Sequence, residues 1–235
     1  MTTLYPLYYH PNDPTTWRAP RPLIIAHDVG GFHDHSTAVV GGNCPIGPRI
    51  LGITECHELP QGLYGSPRAA ALAQIDASHD RNAIIVADLS SDRSYAEALQ
   101  ETFGVRVVGL QIHRYGDGMD FEYRPVNGTV MLIYKVGRST LLEAFHADLQ
   151  ADRVRFIPGP MAQRAFAQLA GLETEMRVTG IVYKCPAGQH DDLAISCTML
   201  AWAVRHPHLQ SWYNRGVIAR RPRPARPRVS SAGWT

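Results

Sequence analysis

Two adjacent aspartates, Asp191 and Asp192, stand in "GQHDDLAISC" at the start of an apolar stretch that predicts a buried helix. Like charges placed side by side repel, and removing them from water raises their pKa unless a cation compensates. One explanation is a helix N-terminus, where the exposed N–H groups and the helix dipole favour acidic residues. Capping explains one carboxylate well and the second poorly, which makes a metal ion the alternative explanation.

Two further aspartates follow apolar runs that are typical of buried strands. "PRPLIIAHDVGG" predicts a strand ending near Asp28, and "NAIIVADLS" predicts a strand ending at Asp88. An aspartate in such a place is commonly a turn former or a helix cap. If the two strands are neighbours, both carboxylates lie at one edge of the sheet, where the last helix can bring Asp191 or Asp192 against them. Mg²⁺ and Mn²⁺ prefer oxygen ligands, and two such ions about 3.5–4 Å apart are the usual device for in-line attack on phosphodiesters.

The order of the predicted elements indicates an α/β protein with a mixed sheet. Apolar runs at 35–43 and 48–60 follow the first strand closely, so the first three strands should form an antiparallel meander. Further strands are predicted at 82–90, 105–113, 154–159 and within 175–188, and helices at 66–80, 92–104, 140–152, 160–173 and 193–206. We therefore expect a central sheet of three antiparallel strands and then parallel strands, flanked by helices.

Length and composition favour one soluble globular domain. The chain has 235 residues, of which 45% are hydrophobic and 19% charged. Its apolar runs are shorter than the roughly 20 residues that span a bilayer, and the N-terminus lacks a signal-peptide pattern. The four cysteines contain no C-x-x-C pair, which disfavours a zinc knuckle and a disulfide framework. Reduced cysteines in a cytoplasmic protein are the expectation.

Charge is distributed unevenly along the chain. Seven of the 23 basic residues are arginines after Asp192, where no acidic residue follows. Residues 1–192 therefore hold 16 basic against 21 acidic residues, a formal charge of −5. A basic tail on an acidic body suits a nucleic-acid partner held by its phosphates. A solubilising, disordered tail of biased composition is the alternative.

Several stretches resemble the C-terminal nuclease domain of the large terminase subunit of tailed bacteriophages. The resemblance spans about residues 20–206 and is strongest from Lys135 to Gly159 and at the start of the last helix. The stretches that carry it are "PLIIAHDVGG", "HDHSTAVVGG", "IIVADLSSDRSYAEALQETFGVRVVGLQI", "KVGRSTLLEAFHADLQADRVRFIPG" and "GQHDDLAISCTMLAWA".

The resemblance implies an RNase H-like fold and cleavage of double-stranded DNA with two divalent metal ions, Mg²⁺ or Mn²⁺. By position, Asp28 matches the acid of the first strand, Asp88 the acid that ends the fourth, and the Asp191–Asp192 pair the acid of the last helix. These four are the expected catalytic and metal-binding residues, with Asp192 favoured over Asp191 because adjacent helix residues point in different directions. Little sequence specificity is expected, since no segment resembles a base-reading helix with a basic face.

One departure from the family pattern concerns the ATPase motor. The sequence has no G-x-x-x-x-G-K-[ST] loop, and too little chain precedes the first strand to hold a motor. We therefore expect the chain to be a separate nuclease, a truncated prophage remnant or an excised domain. We expect an N-terminal extension at 1–19, an RNase H-like domain at 20–210 and an Arg/Pro-rich tail at 211–235. The implied partners are double-stranded DNA and a separate packaging ATPase, the small terminase subunit or the portal, without a membrane, in the cytoplasm of a bacterial host.

Secondary site residues have simpler alternatives. Asp34 and His190 are close enough in sequence to serve the metal site, but the first also suits a turn and the second an ordinary helix start. Because lysine is scarce, phosphate contacts should depend on arginines. The candidates for DNA binding are Arg114, Arg138, Arg215, Arg220 and Arg221.

Two rival functions use the same residues differently. A junction resolvase or another RNase H-like nuclease would act on branched DNA or an RNA–DNA hybrid with the same carboxylates. A non-catalytic module would bind DNA or a packaging partner without cutting. All expected carboxylates are present, which favours an enzyme, whereas the missing motor favours the binding module.

Overall fold

A computed structural model describes residues 21–29, 35–43, 50–59, 83–90, 95–113, 120–126, 129–178 and 180–214. The strands are β1 (Arg21–Asp28), β2 (Ser36–Asn43), β3 (Leu51–Leu59), β4 (Ile84–Asp88), β5 (Val107–His113), β6 (Asp120–Val126), β7 (Thr129–Gly137), β8 (Val154–Phe156), β9 (Glu173–Arg177) and β10 (Gly180–Lys184). The helices are α1 (Tyr95–Phe103), α2 (Arg138–Gln150), α3 (Pro160–Gly171), α4 (Asp192–Arg205) and α5 (Pro207–Asn214).

Eight strands form the central sheet in the order β6-β7-β5-β4-β1-β2-β3-β8. Strands β1, β2 and β3 pair in antiparallel fashion, while β4, β5 and β7 continue from β1 in parallel. The expected mixed sheet, with three antiparallel strands and then parallel strands, is confirmed. Strands β9 and β10 form a separate antiparallel hairpin.

Both faces of the central strands are buried, which explains their continuous apolar sequences. Ile24 and Ala26 face the core shared with α2, α3 and α4, whereas Ile25 faces the core shared with α1. The same alternation runs along β4, where Ile84 and Ile85 point into opposite cores. The two cores fix the orientation of β1 and β4 and therefore the places where these strands end.

Helix α4 lies inside the molecule and is buried from Leu193 to Val204. A Cβ added at Gly41 on β2 would stand 2.1 Å from the Gly52 carbonyl oxygen and 2.9 Å from the Leu200 side chain. Gly41 therefore permits a close approach of β2, β3 and α4 that no larger residue allows. This packing sets the height of α4 over the sheet, and with it the place of the acids at its start.

The structure also departs from the sequence-based expectation. The antiparallel pair β6–β7 at the sheet edge was not predicted, and α5 adds a further helix beyond α4. Helix α2 begins at Arg138, two residues earlier than expected. The helix expected at 66–80, the extension at 1–19 and most of the basic tail lie outside the described residues. No helix within the described ranges is long and apolar enough to cross a membrane.

Candidate active site

Asp28 and Asp88 end two neighbouring parallel strands. The register pairs Ile24 with Ile84 and His27 with Ala87, so the next residues on the two strands stand side by side. Strands β1 and β4 are therefore neighbours, which is the condition for bringing Asp28 and Asp88 together. Because carboxyl ends of parallel strands meet at one edge, the two carboxylates share one end of the sheet.

A tight turn after β4 fixes the Asp88 carboxylate. Its Oδ1 accepts hydrogen bonds from the backbone N–H of Ser90 and from the Ser90 hydroxyl. The Ser90 Oγ in turn accepts a hydrogen bond of 2.7 Å from the Ile112 N–H at the end of β5. Sequence reasoning did not single out Ser90, although an Asp-x-Ser sequence after a strand is a recognisable turn signal. The turn orients Asp88 before any ligand binds.

Asp191 does not cap α4 with its side chain. It occupies the N-cap position, but its carboxylate makes no capping hydrogen bond. The Gln168 Oε1 atom instead accepts a hydrogen bond of 3.1 Å from the Ala194 N–H in the first turn. The Asp191 carboxylate forms an ion pair with Arg138, the first residue of α2. Helix capping therefore does not explain why an aspartate stands at position 191.

Helix α4 is fastened to the sheet beside Asp192. The Thr37 hydroxyl lies 3.1 Å from the Asp192 carbonyl oxygen and 2.8 Å from the Ser196 hydroxyl. Thr37 is also the residue on β2 that pairs with Asp28 across the strands. One threonine thus links the strand neighbour of the first aspartate to the helix turn that carries the last.

The four carboxylates line one cavity of about 610 Å³. Burial raises the pKa of Asp28 well above its usual range, and the charges of Asp88, Asp192 and Asp191 raise it further, while Arg138 opposes them. The pKa of Asp88 is also raised by burial, against the lowering effect of the Ser90 hydrogen bonds. Together they form a crowded acidic pocket that a bound cation would relieve.

The donor set matches a hard divalent cation, which takes carboxylate oxygens as ligands. As the side chains stand, no three His, Cys, Asp or Glu groups among the described residues are gathered closely enough to hold an ion. Mg²⁺ is usually held by only one or two carboxylates, and waters and substrate phosphates complete its shell. The chemistry of the pocket therefore fits such ions.

The secondary candidates have different positions. His190 is exposed, and its Nδ1 lies 3.9 Å from the Asp192 Oδ2, too long for a hydrogen bond. Arg138 lies in the carboxylate pocket, and its contact with DNA stays a prediction. Lys184, Cys185 and Ser139 also line the pocket and were not predicted. Asp34, Arg114, Arg215, Arg220 and Arg221 lie outside the described residues.

Comparison with solved structures identifies the fold. The nuclease domain of the large terminase subunit of bacterial virus Sf6 matches with a TM-score of 0.53 and 14% identity, over 79% of this chain and 90% of that one. The large terminase nuclease from thermophilic phage G20c with bound magnesium matches with a TM-score of 0.52 and 17% identity, over 78% and 83%. This chain has the terminase nuclease fold.

The likeness to these solved structures is one of fold, at low sequence identity. No family model matches the chain, and no curated protein does. A mutant of the Sf6 nuclease domain with manganese also matches, at a TM-score of 0.51 and 15% identity, over 79% of this chain and 90% of that one. The terminase nuclease fold that the sequence resemblance implied is thus confirmed.

Proposed function

We propose that the chain is a divalent-metal-dependent endonuclease that cleaves double-stranded DNA with little sequence preference, in the manner of a phage terminase nuclease. The observation that carries this proposal is the gathering of Asp28, Asp88, Asp191 and Asp192 around one cavity at the strand ends. These acids come from three separate elements, and gathering them in one cavity creates electrostatic repulsion among them. Folding alone does not require that repulsion. The solved structures of this fold with magnesium or manganese support divalent-metal use.

Asp28, Asp88 and Asp192 are the residues that would hold two ions, Mg²⁺ or Mn²⁺. Two such ions, when bound, supply an activated water and stabilise the leaving 3′ oxygen of the phosphodiester. The chain's own part is orientation. Ser90 holds one oxygen of Asp88, and Thr37 holds the backbone of Asp192 against the sheet.

Phosphate recognition is assigned to arginine. Arginine binds phosphate bidentately, and six arginines follow residue 214 in the tail. The body up to residue 192 carries −5, so duplex DNA would be held by the tail and by local arginines and not by the net charge of the domain. We place the nuclease domain at 20–210 between an extension at 1–19 and the tail at 211–235. Its partners would be DNA and a separate packaging ATPase, the small terminase subunit or the portal, inside a bacterial host.

The test is cleavage of supercoiled plasmid with Mn²⁺, with Mg²⁺ and with EDTA. The parent should nick and linearise plasmid with a divalent ion and not with EDTA, and Asp88→Asn should lose cleavage. Asp152→Asn is the matched control, because it makes the same chemical change at an exposed carboxylate paired with Arg155, outside the cavity. Its left-handed backbone, with φ of 55°, suits asparagine as well.

The outcomes separate the rival functions. Cleavage that survives EDTA or Asp88→Asn would refute the site. A panel of linear duplex, four-way junction and RNA–DNA hybrid distinguishes a terminase-type enzyme from a resolvase or hybrid-cutting enzyme. DNA binding without cleavage under every metal condition would leave the non-catalytic module as the function.

A further inference from the structure

Arg138 is a cation placed inside an acidic pocket. It lies at the start of α2, lines the cavity with all four carboxylates, and pairs with Asp191. The Asp191 side chain is only 13% exposed and that of Arg138 31%. A guanidinium in this position offsets part of the repulsion among the acids.

The two adjacent aspartates are not equivalent in this arrangement. Asp191 precedes the helix, and its carboxylate is engaged by Arg138. Asp192 is the first helical residue, and its carbonyl accepts a hydrogen bond from Thr37, the residue that pairs with Asp28 across β1 and β2. The pocket therefore holds one aspartate whose carboxylate pairs with Arg138 and a second whose backbone is hydrogen-bonded to the strand neighbour of Asp28.

We propose that Arg138 is a positioning residue that serves as the internal counter-ion of the site. It engages Asp191, leaves Asp28, Asp88 and Asp192 as the metal ligands, and limits the affinity of the pocket for divalent ions. This inference rests on the proposed metal-dependent function. It goes further by giving the adjacent aspartates separate tasks and by assigning Arg138 to the pocket and not to DNA.

Removing the charge of Arg138 and removing that of Asp191 should change the affinity for Mn²⁺ in opposite directions. Removing the Arg138 cation should tighten Mn²⁺ binding by roughly tenfold, the scale of one nearby unit charge acting on a divalent ion in a partly solvated pocket. Removing the Asp191 anion leaves the cation uncompensated and should weaken binding by a similar factor. Replacing both by amides removes the pair together, so the two effects should largely cancel.

The experiment is calorimetric titration of the full chain with Mn²⁺, without DNA. The variants are Arg138→Gln, Asp191→Asn, their combination, and Asp192→Asn. Arg164→Gln is the matched control, because it removes the same charge from α3, where Arg164 pairs with Glu58 outside the cavity. Arg138→Gln should bind Mn²⁺ more tightly, the combined variant should bind like the parent, Asp192→Asn should lose binding, and the control should be unchanged.

Each contrary result has one meaning. If the parent binds Mn²⁺ but Arg138→Gln binds with the parent's affinity, the counter-ion assignment is wrong while the proposed function stands. If the combined variant loses binding as Asp192→Asn does, Asp191 is itself a ligand and the inference fails. If the parent binds no Mn²⁺ at all, the proposed function fails first. Should Arg138→Gln not fold, the combined variant still decides, because it leaves neither charge buried alone.

Discussion

The buried imidazole of His27, next to Asp28, should make the protein sensitive to acid. Its Nδ1 lies 2.8 Å from the Thr37 carbonyl oxygen, which can only accept, so Nδ1 carries the proton. The Nε2 atom then accepts from the Tyr95 hydroxyl at 3.0 Å, within a fully buried network. Burial lowers the pKa of His27 to about 4, although its hydrogen bond to Thr37 acts in the other direction.

The direction of the pH dependence follows from which state, folded or unfolded, binds the proton. In the unfolded chain a histidine has a pKa near 6.5, so between pH 6.5 and 4 the unfolded state binds a proton at His27 that the folded state does not bind. The free energy of unfolding therefore falls as the pH falls through this window. The depression from 6.5 to about 4, at about 1.4 kcal/mol per unit, amounts to about 3 kcal/mol. This is a large share of the roughly 5–15 kcal/mol that stabilises a typical domain.

Other groups with shifted pKa values also change the pH dependence of stability, so the effect of His27 must be isolated by difference. Burial and the neighbouring His208 lower the pKa of His206 to about 4, which adds to the loss in acid. The raised pKa of Asp28 and of Asp88 acts in the opposite sense, because the folded state then binds protons more readily than the unfolded chain.

The assay is urea unfolding in EDTA, followed by tryptophan fluorescence, for the parent and His27→Gln from about pH 4 to about pH 7. Glutamine keeps a donor and an acceptor but cannot ionise, so the variant should lose the slope that His27 contributes. His57→Gln, which changes a histidine with a 39% exposed side chain outside the buried network, is the control for the substitution itself. If His27→Gln also runs parallel to the parent across the window, the buried neutral imidazole is not the cause.

Three further predictions concern the pocket and the tail. In EDTA at neutral pH, Asp88→Asn should be at least as stable as the parent, because burial disfavours the ionised form of Asp88 and raises its pKa. A clearly lower free energy of unfolding for the variant, measured by urea unfolding, would contradict this. Thr37→Val should cost about 1–3 kcal/mol, as for a buried hydrogen-bonding group left unsatisfied, and should reduce the rise in melting temperature that Mn²⁺ gives the parent. An unchanged rise in melting temperature would mean that the hydrogen bond from Thr37 to Asp192 does not contribute to metal binding. Deleting residues 215–235 removes six arginines and should flatten the salt dependence of DNA affinity by up to about five in log–log slope, whereas an unchanged slope would exclude tail–phosphate contact.

The places of Asp28 and Asp88 could be predicted because each ends a strand buried on both faces. Such strands have continuous apolar sequences with clear ends, and the class of the sheet then sets which edge the following residue occupies. The β6–β7 pair was missed for a different reason. The sequence between these strands is Asn127-Gly128, a strong hairpin signal, but the preceding "HRYGDGMDFEY" has the composition of a loop.

The partner of Asp191 could not be predicted, because it depends on long-range packing. Arg138 is 53 residues away in sequence, and nothing near either residue indicates that the first turns of α2 and α4 meet. That meeting depends on how deeply α4 packs over β2, which Gly41 permits by its lack of a side chain. The cap of α4 also comes from another part of the chain, since Gln168 lies on α3, 26 residues before Ala194. Sequence could therefore show that two adjacent acids need compensation, whereas only the packed structure supplies an arginine for one of them and leaves Asp192 beside the strand-end acids.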